Sequence, residues 1–297
     1  MNQKQNQPPI IDYEGSQYRT DFWEGQGREY EDAVEQMLIS RILPNSGEIL
    51  MEAGAGFGRL AELYGGYSKV VLVDYSLSLL EEAKQQWGKD NRFTFVAANL
   101  YHLPFVDELI DAIVMVRVMH HLKQPSLALE ELERVLQGQG VAILEYANKR
   151  NLKSIIRYGL RRQSWSPFDR HPYEFANLNF DFHPDWMSDR LQQSGLSIQR
   201  EWAISHFRLA AIKHKVSPKT LARLDMTLGP LGARLKLSPS IVVRCIKKKP
   251  RTKSSGFFRC PACGGVELQE NSASLQCQGC GNDWRIINGI YDFRFPR

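Results

Sequence analysis

The chain has 297 residues, 43% hydrophobic and 24% charged, with a formal net charge of +5. These are globular proportions, and the length allows one large domain with a small appendage. No apolar run approaches membrane-spanning length, and the charge is too slight to argue for an anionic partner by itself.

The chain opens on "MNQKQNQPPIIDYEGSQ", which lacks the apolar core of a secretion signal and reads as a polar, disordered lead-in over 1–27. Four of the five cysteines cluster near the C-terminus. With no secretion signal, metal-binding thiolates are expected rather than disulfides, in a cytoplasmic protein. "REYEDAVEQMLISRIL" places Val34, Met37, Leu38 and Ile42 at helical spacing. Strands and helices then alternate: "GEILMEA" a strand, "GRLAELYGG" a helix, "KVVLVDYS" a strand, "SLLEEAKQQW" a helix, "RFTFVAA" and "LIDAIVMVRVM" strands, "SLALEELERVLQ" a helix and "GVAILEYA" a strand. That order predicts a parallel sheet covered on both faces. Regularity breaks over 148–182, which is rich in basic and aromatic residues. It resumes with the helix "HPDWMSDRLQQSG", the strand "LSIQREWAIS", the interrupted helix "SPKTLARLDMTLGPLGARL" and the strand "PSIVVRCIK", whose Cys245 reads as a packed thiol. "KKKPRTKSSG" reads as a charged linker, and 257–297 as a separate cysteine-bearing unit.

Two features between the first strands point to a ligand. Gly54, Gly56 and Gly58 form a loop whose backbone can turn sharply and approach a bound molecule. A dinucleotide fingerprint would need a third glycine where Arg59 stands, so the loop alone leaves several nucleotides, or a plain turn, open. Asp74 ends the second strand at the carboxyl edge of the sheet, where a carboxylate can accept both hydroxyls of a ribose. Its competing role is a helix N-cap, which Ser76 can fill as well.

Four ordered stretches, "ILMEAGAGFGRL", "VLVDYS", "FVAANLYHLPF" and "LIDAIVMVRVMHHL", resemble a class I S-adenosylmethionine-dependent methyltransferase of the UbiE-like type. The likeness is close over about 30–147 and weaker to 247. It implies a Rossmann-like, doubly wound α/β fold with a mostly parallel seven-stranded sheet. It also implies cofactor-binding roles. Glu52 matches the acid that opens the first motif, and Gly54 and Gly56 line the methionine and ribose portion. Asp74 holds the ribose, Tyr75 and Leu100 border the adenine, and the Arg117 carbonyl holds the methionine amino group. Asn99 stands where the family usually has an Asp that accepts from the adenine amine; it keeps a carbonyl acceptor but loses the charge. The Asn/Asp-Pro-Pro-Tyr signature of amine methylation is absent, since that place reads Met115-Val116-Arg117-Val118.

His120 and His121 lie near the expected methyl site and are the candidate general bases, weighed against a structural role for "HHL"; Tyr146 is a candidate pocket wall. Phe22, Trp23 and Tyr30 in the N-terminal stretch, and the aromatic insertion at 148–182, are candidate lids, weighed against simple packing. The basic runs "NKRNLKSIIRYGLRR" and "RCIKKKPRTK" could grip RNA, an anionic lipid or a sugar phosphate, or form a solvated surface.

Cys260 and Cys263, then Cys277 and Cys280, form two C-x2-C pairs thirteen residues apart. Four thiolates close a tetrahedral shell, the geometry of structural zinc, and leave no open position for catalysis. The tail "FFRCPACGGVELQENSASLQCQGCGNDWRIINGIYDF" resembles the small zinc-ribbon activator subunit of tRNA, rRNA and release-factor methyltransferases. The expected organisation is therefore a lead-in at 1–27, a methyltransferase domain at 28–249 with a lid insertion at 148–182, a linker at 250–256, and a small β-rich zinc ribbon at 257–297. The expected activity is methyl transfer from S-adenosylmethionine to a small or lipid-linked acceptor. RNA or protein methylation with docking through the ribbon, and a non-catalytic scaffold, stand as alternatives. A protein partner through the ribbon is also expected.

Overall fold

The computed structural model describes residues 8–16, 18–23, 25–213, 215–252 and 255–296. The first seven residues, Gln17 and Glu24 of the expected lead-in, and Lys253 and Ser254 of the expected linker, lie outside them.

Short apolar runs buried on both faces form the centre of one sheet. They are β1 (Gly47–Ala53), β2 (Tyr67–Asp74), β3 (Phe93–Ala97), β4 (Ile110–Met115) and β5 (Leu136–Ala147), pairing in parallel in the order β3-β2-β1-β4-β5. β9 (Ser240–Lys247) pairs antiparallel with β5, and β8 (Leu196–Ile204) antiparallel with β9. These seven strands form the doubly wound sheet expected from sequence. The strand order reverses between β1 and β4, which is where open α/β sheets bind ligands.

Helices α2 (Glu29–Ile42), α3 (Leu77–Trp87) and α8 (Pro218–Leu235) cover one face through Val34, Leu38, Leu80, Ala83 and Leu221. The other face holds α4 (Pro125–Val135) and α6 (Pro184–Gln193), through Leu129, Leu132, Met187 and Leu191. Two short helices, α1 (Tyr18–Phe22) and α7 (Ala210–Lys213), precede α2 and α8.

The expected interruptions in α8 are absent: the helix runs unbroken through Gly229 and Gly232. A Cβ on Gly232 would stand 2.9 Å from the Ala203 Cβ, so this glycine lets α8 lie close on β8. The fully buried Asp225 of α8 accepts from the Tyr30 hydroxyl and from the backbone and ring of His206, tying α2, α8 and the end of β8 together. Tyr30, an expected lid residue, is therefore a core residue. The expected helix after the glycine loop is also reduced, to a single 3-10 turn at Ala61–Tyr64 preceded by turns.

The 148–182 insertion carries α5 (Leu152–Gly159) and a two-stranded hairpin, β6 (Tyr173–Ala176) with β7 (Asn179–Asp181). The buried Lys149 Nζ ties it to the body by donating to the carbonyls of Asp169 and His171 at 2.9 and 2.7 Å.

The cysteine-bearing tail forms β10 (Leu268–Glu270), β11 (Ser274–Cys277), β12 (Asp283–Ile287) and β13 (Ile290–Asp292). The first three follow one another antiparallel, and β13 then pairs in parallel with β3, Tyr291 against Val96 and Asp292 against Ala97. The sheet thereby runs to eleven strands. Phe258 stacks on Phe105 at 5.9 Å, and Cys260, Leu275, Trp284 and Phe293 join the same apolar core as β1 and β4. The tail is spatially continuous with the main sheet.

Candidate functional site

The glycine loop leaves β1 and crosses the sheet edge. All three glycines have positive φ, and a Cβ on Gly54 would fall 2.2 Å from a methyl of Val118, so no side chain fits there. Arg59, where a Rossmann loop would have its third glycine, pairs with Asp32 and Glu35 and lies 4.0 Å over the Trp23 ring, anchoring the loop to α2. Glu35 also takes the Arg117 guanidinium at 2.6 Å, and the two arginines hold its carboxyl low against the opposing effect of burial.

Asp74 accepts from the Gly56 amide at 2.7 Å and from Ser76 N at 2.9 Å, while burial pushes its carboxyl upward. Ser76 is the N-cap of α3, accepting from Leu79 N at 3.3 Å. With the cap supplied by Ser76, the Asp74 carboxylate retains lone pairs for a ligand.

One cavity gathers Gly54, Gly56, Asp74, Tyr75, Asn99, Leu100, Arg117 and His121. Glu52 and His120 are absent from its wall. Glu52 is 4% exposed behind the loop, and burial pushes its carboxyl up to about 8 against the pull of Arg59. Tyr146 is buried in the core, away from that wall. Arg117 takes a left-handed backbone at φ 60, and its amide donates to Glu145 Oε2 at 2.8 Å, fixing the turn after β4.

Asn99 Oδ1 accepts from the Tyr101 amide at 2.9 Å. Its second oxygen lone pair and its NH2 remain for a ligand, so the side chain can still supply a carbonyl acceptor.

The roof of the cavity was not legible as such. Residues 9–13 of the expected lead-in close over it, with Ile10, Ile11 and Tyr13 in its wall. The apolar cluster in "PPIIDY" was the available signal. The Tyr13 hydroxyl lies 3.3 Å from His121 Nε2, and His121 Nδ1 lies 3.3 Å from the Leu178 carbonyl on the 148–182 insertion. A proton on Nδ1 satisfies both contacts. Burial lowers the His121 pKa, and lowers that of His120 well below the usual range with help from His121 and the Arg117 guanidinium. Phe22 meets Tyr13 edge-on at 6.2 Å, so the N-terminal stretch and the insertion both reach the surroundings of His121.

The tail also reaches this cavity. Arg294 donates to the Tyr75 carbonyl at 3.1 Å and pairs with Asp292 and with Glu14, whose carboxylate accepts from Leu77 N. Glu14 thus clips the roof to the start of α3 and to the tail. Arg294 follows β13 by two residues, so the pairing of β13 with β3 places it beside Tyr75 of the cavity wall.

The Sγ atoms of Cys260, Cys263, Cys277 and Cys280 all lie within 4.8 Å of one another. Cys260 to Cys280 is 3.7 Å and Cys263 to Cys277 is 3.5 Å. A tetrahedral ion with ligands at about 2.3 Å has edges of about 3.8 Å, so the cluster is compatible with zinc. The Gly265 amide points at Cys263 Sγ at 3.4 Å, an outer-shell donor of the kind thiolate sites use.

A family model described as a methyltransferase domain matches residues 51–144. A demethylmenaquinone methyltransferase of Clavibacter sepedonicus is 32% identical over 181 residues, covering 57% of this chain and 72% of that protein. An uncharacterized protein of Methanocaldococcus jannaschii is 29% identical over 116 residues, covering 39% of this chain and 48% of its own length. The chain thus spans about half of that relative. Among solved structures, a complex between the Haloferax volcanii Trm112 methyltransferase activator and a putative methyltransferase aligns with a TM-score of 0.53 at 15% identity, over 76% of this chain and 95% of the matched one. At that identity the likeness speaks for the fold alone.

Proposed function

Because the chain belongs to the S-adenosylmethionine-dependent methyltransferases, we propose that it is a cytoplasmic enzyme moving the methyl group to a small-molecule or lipid-linked acceptor. The acceptor class rests on the similarity that spans most of a relative named for methylating demethylmenaquinone. In this reading Asp74 receives the ribose hydroxyls, Tyr75 and Leu100 border the adenine, and Asn99 meets its edge. Gly54 and Gly56 line the methionine portion with Glu52 behind them, and the Arg117 carbonyl takes the amino group. The support is that all but Glu52 share one cavity at the switch point of the sheet.

The reaction is an in-line displacement. The acceptor's nucleophilic atom forms a bond to the methyl carbon as the S–CH3 bond breaks, and the bonding pair returns to sulfur. The proteins's contribution is to hold both partners in line and exclude water, with a base where the nucleophile carries a proton. His121 is the better placed of the two histidines, in the cavity wall and neutral near pH 7; His120 stands behind it with ring centroids 3.9 Å apart.

For the tail, we infer that Cys260, Cys263, Cys277 and Cys280 hold one structural Zn2+, supported by four thiols within 4.8 Å of one another, two pairs of them at 3.7 and 3.5 Å. The ion would supply folding energy to residues 257–297 and leave no open coordination position. We keep 28–249 as the methyltransferase unit, 148–182 as its lid insertion and 250–256 as the linker.

Transfer of labelled methyl groups from S-adenosylmethionine into a fractionated cell extract tests the acceptor. Label in the lipid or small-metabolite fraction supports this reading. Label in RNA or protein favours docking through the ribbon, and no transfer favours a scaffold. Calorimetry tests the cofactor site: Asp74→Ala is expected to weaken S-adenosylmethionine binding about a hundredfold or more, because hydrogen bonds to a charged group are lost. Unchanged binding would remove Asp74 from the site.

A further inference from the structure

Helix α5 is inverted relative to a helix docked on a core. Such a helix buries its apolar stripe and shows its polar face to water. In α5 the buried residue is Ser154, while Leu152, Ile156 and, one turn on, Leu160 are 50%, 51% and 58% exposed. Those three positions are four residues apart and share a face. Beside them Lys153, Arg157 and Arg161 repeat the same spacing, all exposed, and Arg162 follows. No acid lies between 149 and 168.

The face continues beyond α5. The Leu152 amide donates to the Leu237 carbonyl at 2.8 Å and Arg150 Nη2 to the Leu235 carbonyl at 3.2 Å, so the end of α8, with the half-exposed Leu235, lies beside it. Phe168, 55% exposed, meets Tyr158 edge-on at 6.4 Å. This apolar surface begins just past the end of β5, on the same edge of the sheet as the cofactor cavity.

We propose that α5, the turn after it and the C-terminal end of α8 form a docking surface for an anionic lipid bilayer. An apolar stripe flanked by cations is the pattern of helices that lie in the headgroup plane, with apolar side chains in the acyl boundary and basic ones on lipid phosphates. The charge selects the occupant: a protein groove would leave the unpaired basic stripe unused, and RNA would leave the apolar stripe in water. No helix among the described residues is long and apolar enough to cross a membrane, so the contact is peripheral. The surface takes its purpose from the lipid-linked reading of the acceptor, since it would bring the cofactor site to the bilayer. Vesicle binding is read without methyl transfer, so either idea can fail alone.

Flotation of the full chain with vesicles of phosphatidylcholine plus phosphatidylglycerol, against phosphatidylcholine alone, tests it. Binding to the anionic vesicles that falls with salt is expected. Each basic residue near such a surface strengthens binding about fivefold, so Lys153→Gln with Arg157→Gln and Arg161→Gln should weaken it about a hundredfold. Leu152→Ser with Ile156→Ser and Leu160→Ser should also weaken it. Calorimetry with S-adenosylmethionine, expected unchanged in both variants, shows that they are folded. The proposal is overturned if the parent ignores anionic vesicles or if both variants bind them as it does. It is equally overturned by RNA binding without vesicle binding, or by a dimer that the serine variant dissociates in a parent that ignores vesicles.

Discussion

At Asn99 a single backbone contact takes up part of what the side chain can offer a ligand. The Tyr101 amide takes one lone pair of Oδ1 in a side chain that lines the cavity, leaving the other lone pair and the NH2. A carboxylate there would keep one oxygen for Tyr101 and present the other to an amine. Asn99→Asp is therefore expected to tighten S-adenosylmethionine binding about tenfold by calorimetry, the gain from a charge-assisted hydrogen bond. Glu52 makes a pH prediction. Burial raises its folded pKa to about 8, above the ordinary carboxyl value of about 4.5, so between these the folded state holds a proton that the unfolded state has released. That contribution is fully present below about pH 4.5 and is lost as pH rises through about 8. Glu52→Gln should flatten this part of the profile in thermal melts of the ligand-free protein between those limits. The glycine loop and Asp74 were legible because their chemistry needs those residue types at that spacing. The Tyr101 contact of Asn99 and the upward push on the Glu52 carboxyl were not, because each depends on neighbours that only the fold brings near.

Among the elements, the five central strands were read correctly from apolar runs, since buried parallel strands carry that signal in themselves, whereas the β6–β7 hairpin of the insertion was not seen. α8 was misjudged because Gly229, Pro230 and Gly232 are helix breakers by propensity. Packing on α2 and β8 overrides that propensity, and Gly232 contributes by allowing close approach. The Asp225 contacts are central to this packing. Asp225→Ala would leave the Tyr30 hydroxyl and the His206 ring and amide without their acceptor. It is expected to lower unfolding free energy by about 3 kcal/mol in denaturant titration, with the slope unchanged. The N-terminal roof was missed for a different reason: polar composition around a short apolar cluster reads as disorder until a cavity is there for the cluster to cover.

The molecule as a whole joins its proposed cofactor site to its cysteine cluster through β13 and the Arg294 that follows it. The sequence marked the cysteines as a unit by their spacing, but nothing in it stated that the last strand of that unit would pair with β3. Edge pairing depends on two distant segments meeting in register, and neither announces its partner. With zinc held by the four cysteines as proposed, stripping it with a chelator is expected to lower the melting temperature by on the order of 5–10 °C, through loss of the tail's packing on the sheet. It should also weaken S-adenosylmethionine binding, because Arg294 holds the Tyr75 carbonyl and Glu14 from the tail. A chelated protein that melts and binds as before would separate the tail from both roles. The parallel seam between β13 and β3 also fixes a ratio. A strand delivered by a separate subunit would come and go with dilution and with the relative output of two genes. Tethered by a short linker, it meets its edge at an effective concentration on the order of millimolar, so every copy of the catalytic unit is made with its own.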